Sequence, residues 1–327
     1  VIISQTPLRI GLAGGCTDLP DYYIDHGGRV LSCAIDKYVY VIVKRRFDDG
    51  ISVNYSKNET VLDVCELEHD LVRETMLMTG LRSGVEITVL SDVPSGGSGL
   101  GSSSSLTVGL LHSFLAFQQK CVPAEELAER ACTIEIERCG KRIGKQDQYI
   151  AALGGIQDFY FGPGDKVVAT ELCLSGPERR CLESQLMLFW TGVTRSATPI
   201  LAEQSQNVAT RLLQFHRLRD LACSAVEQLR TGDLGAVGNT VRLSWEAKRC
   251  LADGVTNAQI DSVIERALAA GATGAKVTGA GGGGFLLVVA PPDRQSSVRQ
   301  AVSQLQEFPV KLDRSGSRVV FSHVDSL

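Results

Sequence analysis

The segment Pro94-Ser95-Gly96-Gly97-Ser98-Gly99-Leu100-Gly101-Ser102-Ser103-Ser104-Ser105 constrains this chain more than any other. It lies between Val85-Glu86-Ile87-Thr88-Val89-Leu90, whose alternation reads as a strand, and a helical pattern starting at Ser102 with Leu106, Leu110, Leu111, Phe114 and Leu115 on one stripe. A flexible Gly/Ser linker would not be bounded by two regular elements. Glycines in such a turn let backbone N–H groups converge without Cβ obstruction, and the helix N-terminus behind them adds about half a positive charge. The segment is built to hold phosphates. It is not a Walker A loop, because no G-x-x-x-x-G-K-[ST] occurs and no lysine follows the glycines. Serines in the first helical turn also offer hydroxyls to a metal ion.

Two further segments concentrate glycine. Lys276-Val277-Thr278-Gly279-Ala280-Gly281-Gly282-Gly283-Gly284-Phe285 runs into the apolar stretch Phe285-Leu286-Leu287-Val288-Val289. Four consecutive glycines entering a strand are entropically costly, so something approaches that backbone closely, a ligand or another part of the site. A mere tight turn needs one or two. Near the start, Thr6-Pro7-Leu8-Arg9-Ile10-Gly11-Leu12-Ala13-Gly14-Gly15-Cys16-Thr17-Asp18 places an arginine and an aspartate around a glycine pair. Twelve of the 33 glycines fall in these three segments.

Composition excludes several classes. With 44% hydrophobic and 21% charged residues and a net charge of −4, the 327-residue chain has material for a large core and is neither disordered nor a nucleic-acid binder. Its ten cysteines include no C-x-x-C pair and no histidine at zinc spacing, so they read as scattered reduced thiols. Val1-Ile2-Ile3 followed by Ser4, Gln5, Pro7 and Arg9 does not read as a secretory leader, and no apolar run reaches the roughly 18 residues of a membrane span. The expectation is a cytoplasmic protein with no membrane partner.

Strands are expected at Tyr38–Val43, Gly50–Tyr55 and Gln185–Trp190. Helices are expected from Pro123 to about Glu137, over 199–230, 234–251 and 257–270, and near 296–306, with a hairpin-like stretch at 274–290 and closing strands. Gly154-Gly155 and Gly162-Pro163-Gly164 punctuate the middle, so a domain boundary is placed within 165–185, giving domains of 1–175 and 176–327. Strands mixed with long helices, without regular βαβ alternation, indicate an α+β two-lobed enzyme.

Together the three glycine segments resemble the three motifs of the GHMP kinases, the galactokinase, homoserine, mevalonate and phosphomevalonate kinase superfamily. The middle one is similar to that family's P-x-x-x-G-L-G-S-S loop and the last to its K-x-x-G-A-G-G-G-G-C segment. Two departures stand out: four residues, Ser95 to Ser98, separate Pro94 from Gly99 where three are usual, and Phe285 replaces a common cysteine. Gly144-Lys145-Gln146-Asp147-Gln148-Tyr149 resembles the galactokinase segment that carries the catalytic aspartate. Twelve residues upstream, Glu135 matches the magnesium glutamate of sugar kinases, with Glu137 as the alternative. Where galactokinase reads G-E-H-T-D, this chain reads Gly14-Gly15-Cys16-Thr17-Asp18 and keeps only the aspartate, which empties the pocket for a different or larger sugar. Within the superfamily, Pro7–Gly15, Thr191-Gly192-Val193-Thr194-Arg195 and the Asp147 segment look most like the D-glycero-D-manno-heptose 7-phosphate kinases and the fucokinase-like enzymes.

That resemblance implies a two-lobed fold, with an N-terminal ATP-binding lobe like domain 2 of ribosomal protein S5 and a C-terminal ferredoxin-like lobe. It also implies ATP and Mg²⁺ as cofactors and a small-molecule sugar phosphate as substrate, phosphorylated on its anomeric hydroxyl, with a homodimer left open. Pro94, Gly96, Gly97, Ser98, Gly99, Leu100, Gly101, Ser102, Ser103 and Ser104 would hold the nucleotide, and Ser103 with Glu135 the metal. Asp147 would take or orient the hydroxyl proton, and Arg9 would lie beside it and stabilise the alkoxide. Gly14, Gly15, Cys16, Thr17, Asp18, Gln148, Gly281 and Gly282 are expected at the acceptor. Arg142, Lys145 and Arg195, with Lys141, are candidates for a distal phosphate. For Trp245 and Lys248, one helical turn apart, the favoured reading is Trp245 in the core and Lys248 in solvent, with sugar contact as the alternative. An unphosphorylated sugar such as fucose, or a non-catalytic sugar and ATP sensor on the same scaffold, are the competing functions.

Overall fold

The computed structural model describes residues 1–94 and 96–323. The first half contains β1 (Ile2–Ala13), α1 (Pro20–His26), β2 (Gly28–Arg45), β3 (Ile51–Asn54), β4 (Asn58–Val61), α2 (Asp70–Thr79), β5 (Val85–Ser91), α3 (Ser102–Phe117) and α4 (Ala124–Cys132). A π-helical turn, Thr133–Arg138, continues α4 and is followed by α5 (Gln146–Leu153), β6 (Ile156–Gly162) and β7 (Lys166–Glu171). Then come α6 (Gly176–Gln185), β8 (Leu186–Trp190), α7 (Thr198–Gln206), α8 (Leu212–Thr231), α9 (Val237–Lys248), α10 (Ala258–Ala269), β9 (Gly274–Val277), β10 (Phe285–Val289), α11 (Gln295–Ala301), β11 (Gln306–Glu307) and β12 (Arg318–Ser322).

Two sheets organise these elements. The larger runs β12-β1-β2-β5-β3-β4, with β6 pairing the first part of β2 and β7 pairing β6; β3 and β5 pair in parallel, and the other pairings among the described residues are antiparallel. The smaller is the antiparallel order β11-β8-β10-β9. The long β2 holds the larger sheet together, pairing β1 along its length, β6 through Gly28–Cys33 and β5 through Val39–Arg45. Val39, Val41 and Val43 alternate inward over that second stretch, as period-2 patterning requires. The chain passes between the sheets through α6, and β12 returns to pair with β1.

One apolar core lies between the larger sheet and α2 to α5, and a second between the smaller sheet and α10 and α11. A third joins the two: Leu8, Ile10 and Leu12 of β1 pack with Leu188, Leu287 and the α8 residues Ala222 and Val226. Because side chains alternate along a strand, the neighbours Arg9 and Gly11 are left facing the cleft between the lobes.

Helix α3 is buried on more than one side, so its sequence stripe understates its burial. Small residues bring it close to the sheet. Ser105 Oγ donates to the Pro7 carbonyl at 2.8 Å, and Ser4 Oγ to the Gly109 carbonyl at 3.1 Å. The stretch 199–230, expected as one helix, is two, because turns interrupt it between Gln206 and Leu212, where Asn207 Nδ2 donates to the Leu251 carbonyl at 2.9 Å. Helix α6 and strand β6 had no periodic signal strong enough to be expected. Among the described residues no helix is long and apolar enough to cross a membrane.

Phe114 has no exposed surface and anchors α3 in the first core. Phe114→Ala should lower unfolding stability by about 3–5 kcal/mol, measured by urea denaturation, because the lost burial of the ring and the cavity it leaves add.

Candidate active site

A cleft of about 750 Å³ runs between the lobes, within the range of small-molecule sites. At its base lies Arg9. Its Nε and Nη2 donate to Asp147 Oδ1 and Oδ2, both at 2.6 Å, and Nη1 donates to the Gly99 carbonyl at 2.6 Å. The Arg9 backbone N–H donates to the Leu100 carbonyl at 3.0 Å. A single residue of β1 therefore holds the first turn of α5 and the glycine loop. The planar guanidinium fork makes this possible; a lysine point charge could not span both partners.

The loop delivers backbone N–H groups to the N-terminus of α3. Gly97, Gly99 and Gly101 have φ of 70°, 75° and 76°, a left-handed conformation that a side chain would strain. At Gly101 a Cβ would also press on Asp147 Oδ2 at 3.3 Å and Arg9 Cγ at 3.2 Å, so glycine is what lets the ion pair sit against the helix start. Pro94, Gly96, Gly97, Ser98, Gly99, Gly101, Ser102, Ser103 and Ser104 line the cleft. Leu100 does not: its side chain is buried in the core between the lobes.

Glu135 sits on the π-helical turn, wholly buried, a backbone form common at functional sites. Ser103 Oγ donates to its Oε1 at 2.7 Å; Ser104 Oγ and Gln148 Nε2 each donate to Oε2 at 2.6 Å. The Lys141 ammonium lies 3.3 Å from Oε1 and 3.1 Å from Ser103 Oγ. A cation thus already rests against the two oxygens that face the cleft, and this hard-oxygen pair fits Mg²⁺. Among the described residues no three His, Cys, Asp or Glu side chains cluster as a metal cage, so a cation here would depend on phosphate and water for its other ligands. Glu137 is exposed and accepts from Thr133 Oγ1 at 3.5 Å, turned away from Ser103.

Gly15, Cys16 and Asp18, just beyond β1, also line the cleft. The Gln146 backbone N–H and Nε2 donate to the Asp18 carboxyl, each at 3.1 Å, while burial raises its pKa. Thr17 is spent on the Gly14 and Arg29 backbone, and Gly14 lies under the Arg29 carbonyl; neither lines the cleft. Gln148 supports Glu135 from behind rather than facing a ligand. Lys145 pairs with Asp165, and Arg142 is exposed and outside the cleft lining. Arg195 does reach the cleft, donating to the Gly254 carbonyl at 3.3 Å.

Gly281 and Gly282 sit against the backbone of Val255 and Gly254, and Gly284 against the Ser98 carbonyl. The glycine run makes room for neighbouring backbone, supporting the loop before α3; Gly279 and Ala280 are the members that line the cleft. Trp245 is in the core, but Lys248 is not in solvent: it is buried, lines the cleft and donates to the Gly279 carbonyl. Lys276, not among the expected site residues, is buried there as well. Only its position at the head of the third glycine segment could have singled it out.

Burial, with the Lys248 charge as the next cause, pulls Lys276 down to about 7. The unfolded chain keeps that proton to about 10.4, so between these values it binds more protons than the fold and stability rises with pH. In the ligand-free protein, the wild-type melting temperature should rise from pH 7 to about 8.5 relative to Lys276→Met. Below about 8.5 the buried thiols, whose opposite shift acts at higher pH, leave that difference undisturbed. Parallel pH profiles for the two proteins would refute the assignment.

Two family models match the chain, the GHMP kinases N terminal domain over residues 61–155 and the GHMP kinases C terminal domain over 225–307. The chain is 29% identical over 323 residues to a D-glycero-alpha-D-manno-heptose 7-phosphate kinase of Campylobacter jejuni, covering 94% of each. It is 28% identical to an L-fucokinase/L-fucose-1-P guanylyltransferase of Bacteroides fragilis, over 91% of this chain and 35% of that protein. A crystal structure described as a D-glycero-D-manno-heptose 1-phosphate kinase from Bacteroides thetaiotaomicron superposes with a TM-score of 0.82 at 26% identity, covering 99% of this chain and 100% of the other. A Lactococcus lactis galactokinase with galactose bound shares the fold at TM-score 0.77 and 20% identity. With both family models matched, more than half of the chain aligned to them and the two-lobed architecture in common, this chain belongs to the GHMP kinases.

Proposed function

We propose that the protein transfers the γ-phosphoryl group of ATP to the anomeric hydroxyl of a sugar phosphate, D-glycero-D-manno-heptose 7-phosphate giving the 1,7-bisphosphate. The observation that carries this reading is the Arg9–Asp147 pair seated at the N-terminus of α3 under the glycine loop. A carboxylate, an arginine and a phosphate-binding helix end meet there, the parts that in-line phosphoryl transfer requires. The sugar assignment draws its support from the heptose kinase relatives. In this reading residues 1–175 hold the nucleotide and 176–327 close the cleft.

Loop N–H groups and the α3 N-terminus receive the ATP phosphates. Ser103 and Glu135 hold Mg²⁺, which neutralises charge on the phosphates when bound. Asp147 accepts the anomeric proton as the sugar oxygen bonds to the γ-phosphorus and the bond to ADP breaks. An anomeric hydroxyl is more acidic than an ordinary alcohol, so a carboxylate suffices as base. Arg9 holds that carboxylate in position and adds positive charge beside the developing alkoxide.

Coupled detection of ADP across heptose 7-phosphate, fucose, galactose and mannose tests the substrate. Turnover of heptose 7-phosphate is expected; turnover of fucose alone would favour the unphosphorylated-sugar reading that the fucokinase relative supports. Asp147→Ala should reduce ADP formation by about 10²–10⁴-fold while leaving nucleotide affinity intact, and full turnover by that variant would remove Asp147 from the mechanism. Arg9→Lys should lower kcat more than it raises KM for ATP, because the bidentate hold on Asp147 is lost while charge is kept.

A further inference from the structure

Five basic side chains line the cleft, and three are readily accounted for: Arg9 has Asp147, Lys141 has Glu135, and Arg195 is exposed. Lys248 and Lys276 do not fit that pattern. Each is 6% exposed, each lines the cleft, and among the described residues neither ammonium forms an ion pair. Lys248 donates to the Gly279 carbonyl and also meets the Cys16 thiol, and Lys276 donates to the Leu12 carbonyl at 3.4 Å. Two neighbouring buried ammonium groups without a counter-charge are costly, and the loss of basicity at Lys276 is one sign of that cost. Cys16 does not supply the missing charge, since burial pushes its thiol up and keeps it neutral. Asp18 is held by Gln146 instead.

We propose that Lys248 and Lys276 form a subsite for a phosphate dianion carried by the acceptor, beside Gly15 and Cys16. The nucleotide phosphates have their own receptor in the glycine loop and the α3 N-terminus. The two lysines come from α9 and β9 and reach the far end of β1, at Leu12 to Cys16. A Cβ on Gly15 would be 4.0 Å from both Lys248 Nζ and Gln146 Nε2, so the absent side chain leaves an open strip between the lysine and the Asp18–Gln146 pair. A polyol lying along that strip would place hydroxyls on Asp18 and Gln146 and a terminal phosphate on the lysines. This subsite deepens the sugar-phosphate reading and rests on it for the acceptor, but not for the anion itself.

The test is calorimetric titration of inorganic phosphate into the protein saturated with Mg²⁺ and the non-hydrolysable analogue AMP-PNP, for wild type, Lys248→Met and Lys276→Met. The analogue fills the loop, so the lysine pair is the site that remains. Phosphate should bind the wild-type complex, and each variant should weaken it by about tenfold to a hundredfold with AMP-PNP affinity unchanged. No phosphate binding by wild type, or undiminished binding by both variants, overturns the proposal. So does a fall in AMP-PNP affinity, which would give the lysines to the γ-phosphate. Methionine removes a buried charge and keeps most of the volume, so melting temperatures should not fall. Should Lys276→Met fail to fold, Lys248→Met and Lys248→Gln carry the test. If phosphate binds as expected but no sugar phosphate is turned over, the substrate reading fails and the subsite stands.

Discussion

The fork of Arg9 is the contact on which the rest of the site depends. It joins three elements far apart in the chain: β1, the loop before α3 and the first turn of α5. Each has its own reason to be where it is. The apolar face of β1, Leu8, Ile10 and Leu12, is committed to the core between the lobes, which forces Arg9 to the opposite face. Small residues draw α3 against the sheet, and glycine at 101 removes the one Cβ that would hold the pair away from the helix start. A nearly buried arginine is expensive unless its donors are used, and here the carboxylate and a carbonyl take them.

The same logic orders the other charges. Glu135 is fully buried yet receives two hydroxyls, an amide and an ammonium. Its cleft-facing oxygen is the one shared with Lys141, so the cation position is prepared by the fold itself. Lys248 and Lys276 are the exception, with backbone carbonyls and a thiol but no carboxylate, and an anion supplied from outside would complete the balance within the cleft.

Much of this was legible in the residues. The strand, glycine loop and helix at 85–117, the helix from Pro123 into the π-helical turn and the strand at β8 follow from periodicity and from turn chemistry. That Arg9 meets Asp147, and Ser103 meets Glu135, was expected from the motifs and the resemblance they carry. Less legible was the fate of side chains inside those motifs. Thr17, Leu100 and Gln148 carry motif positions but serve the backbone, the core and Glu135, because neighbours in a motif alternate between facing the ligand and facing the protein. Gly281 and Gly282 looked ligand-facing, and the crowding they relieve comes from another stretch of backbone.

By itself the sequence determined where a glycine-rich loop joins a strand to a helix, which acidic and basic residues accompany it, and that the chain is an α+β enzyme. Those features are local: glycine φ, helix dipole and strand alternation act within a dozen residues. Only the tertiary structure decided which charges meet. Lys248 on α9 reads first as a solvent-facing lysine, with sugar contact as the alternative, and Lys276 on β9 is marked only by its place at the head of the third glycine segment; neither position gives its burial away. They enter the cleft because the smaller sheet and α9 pack against β1, and burial is a property of that packing.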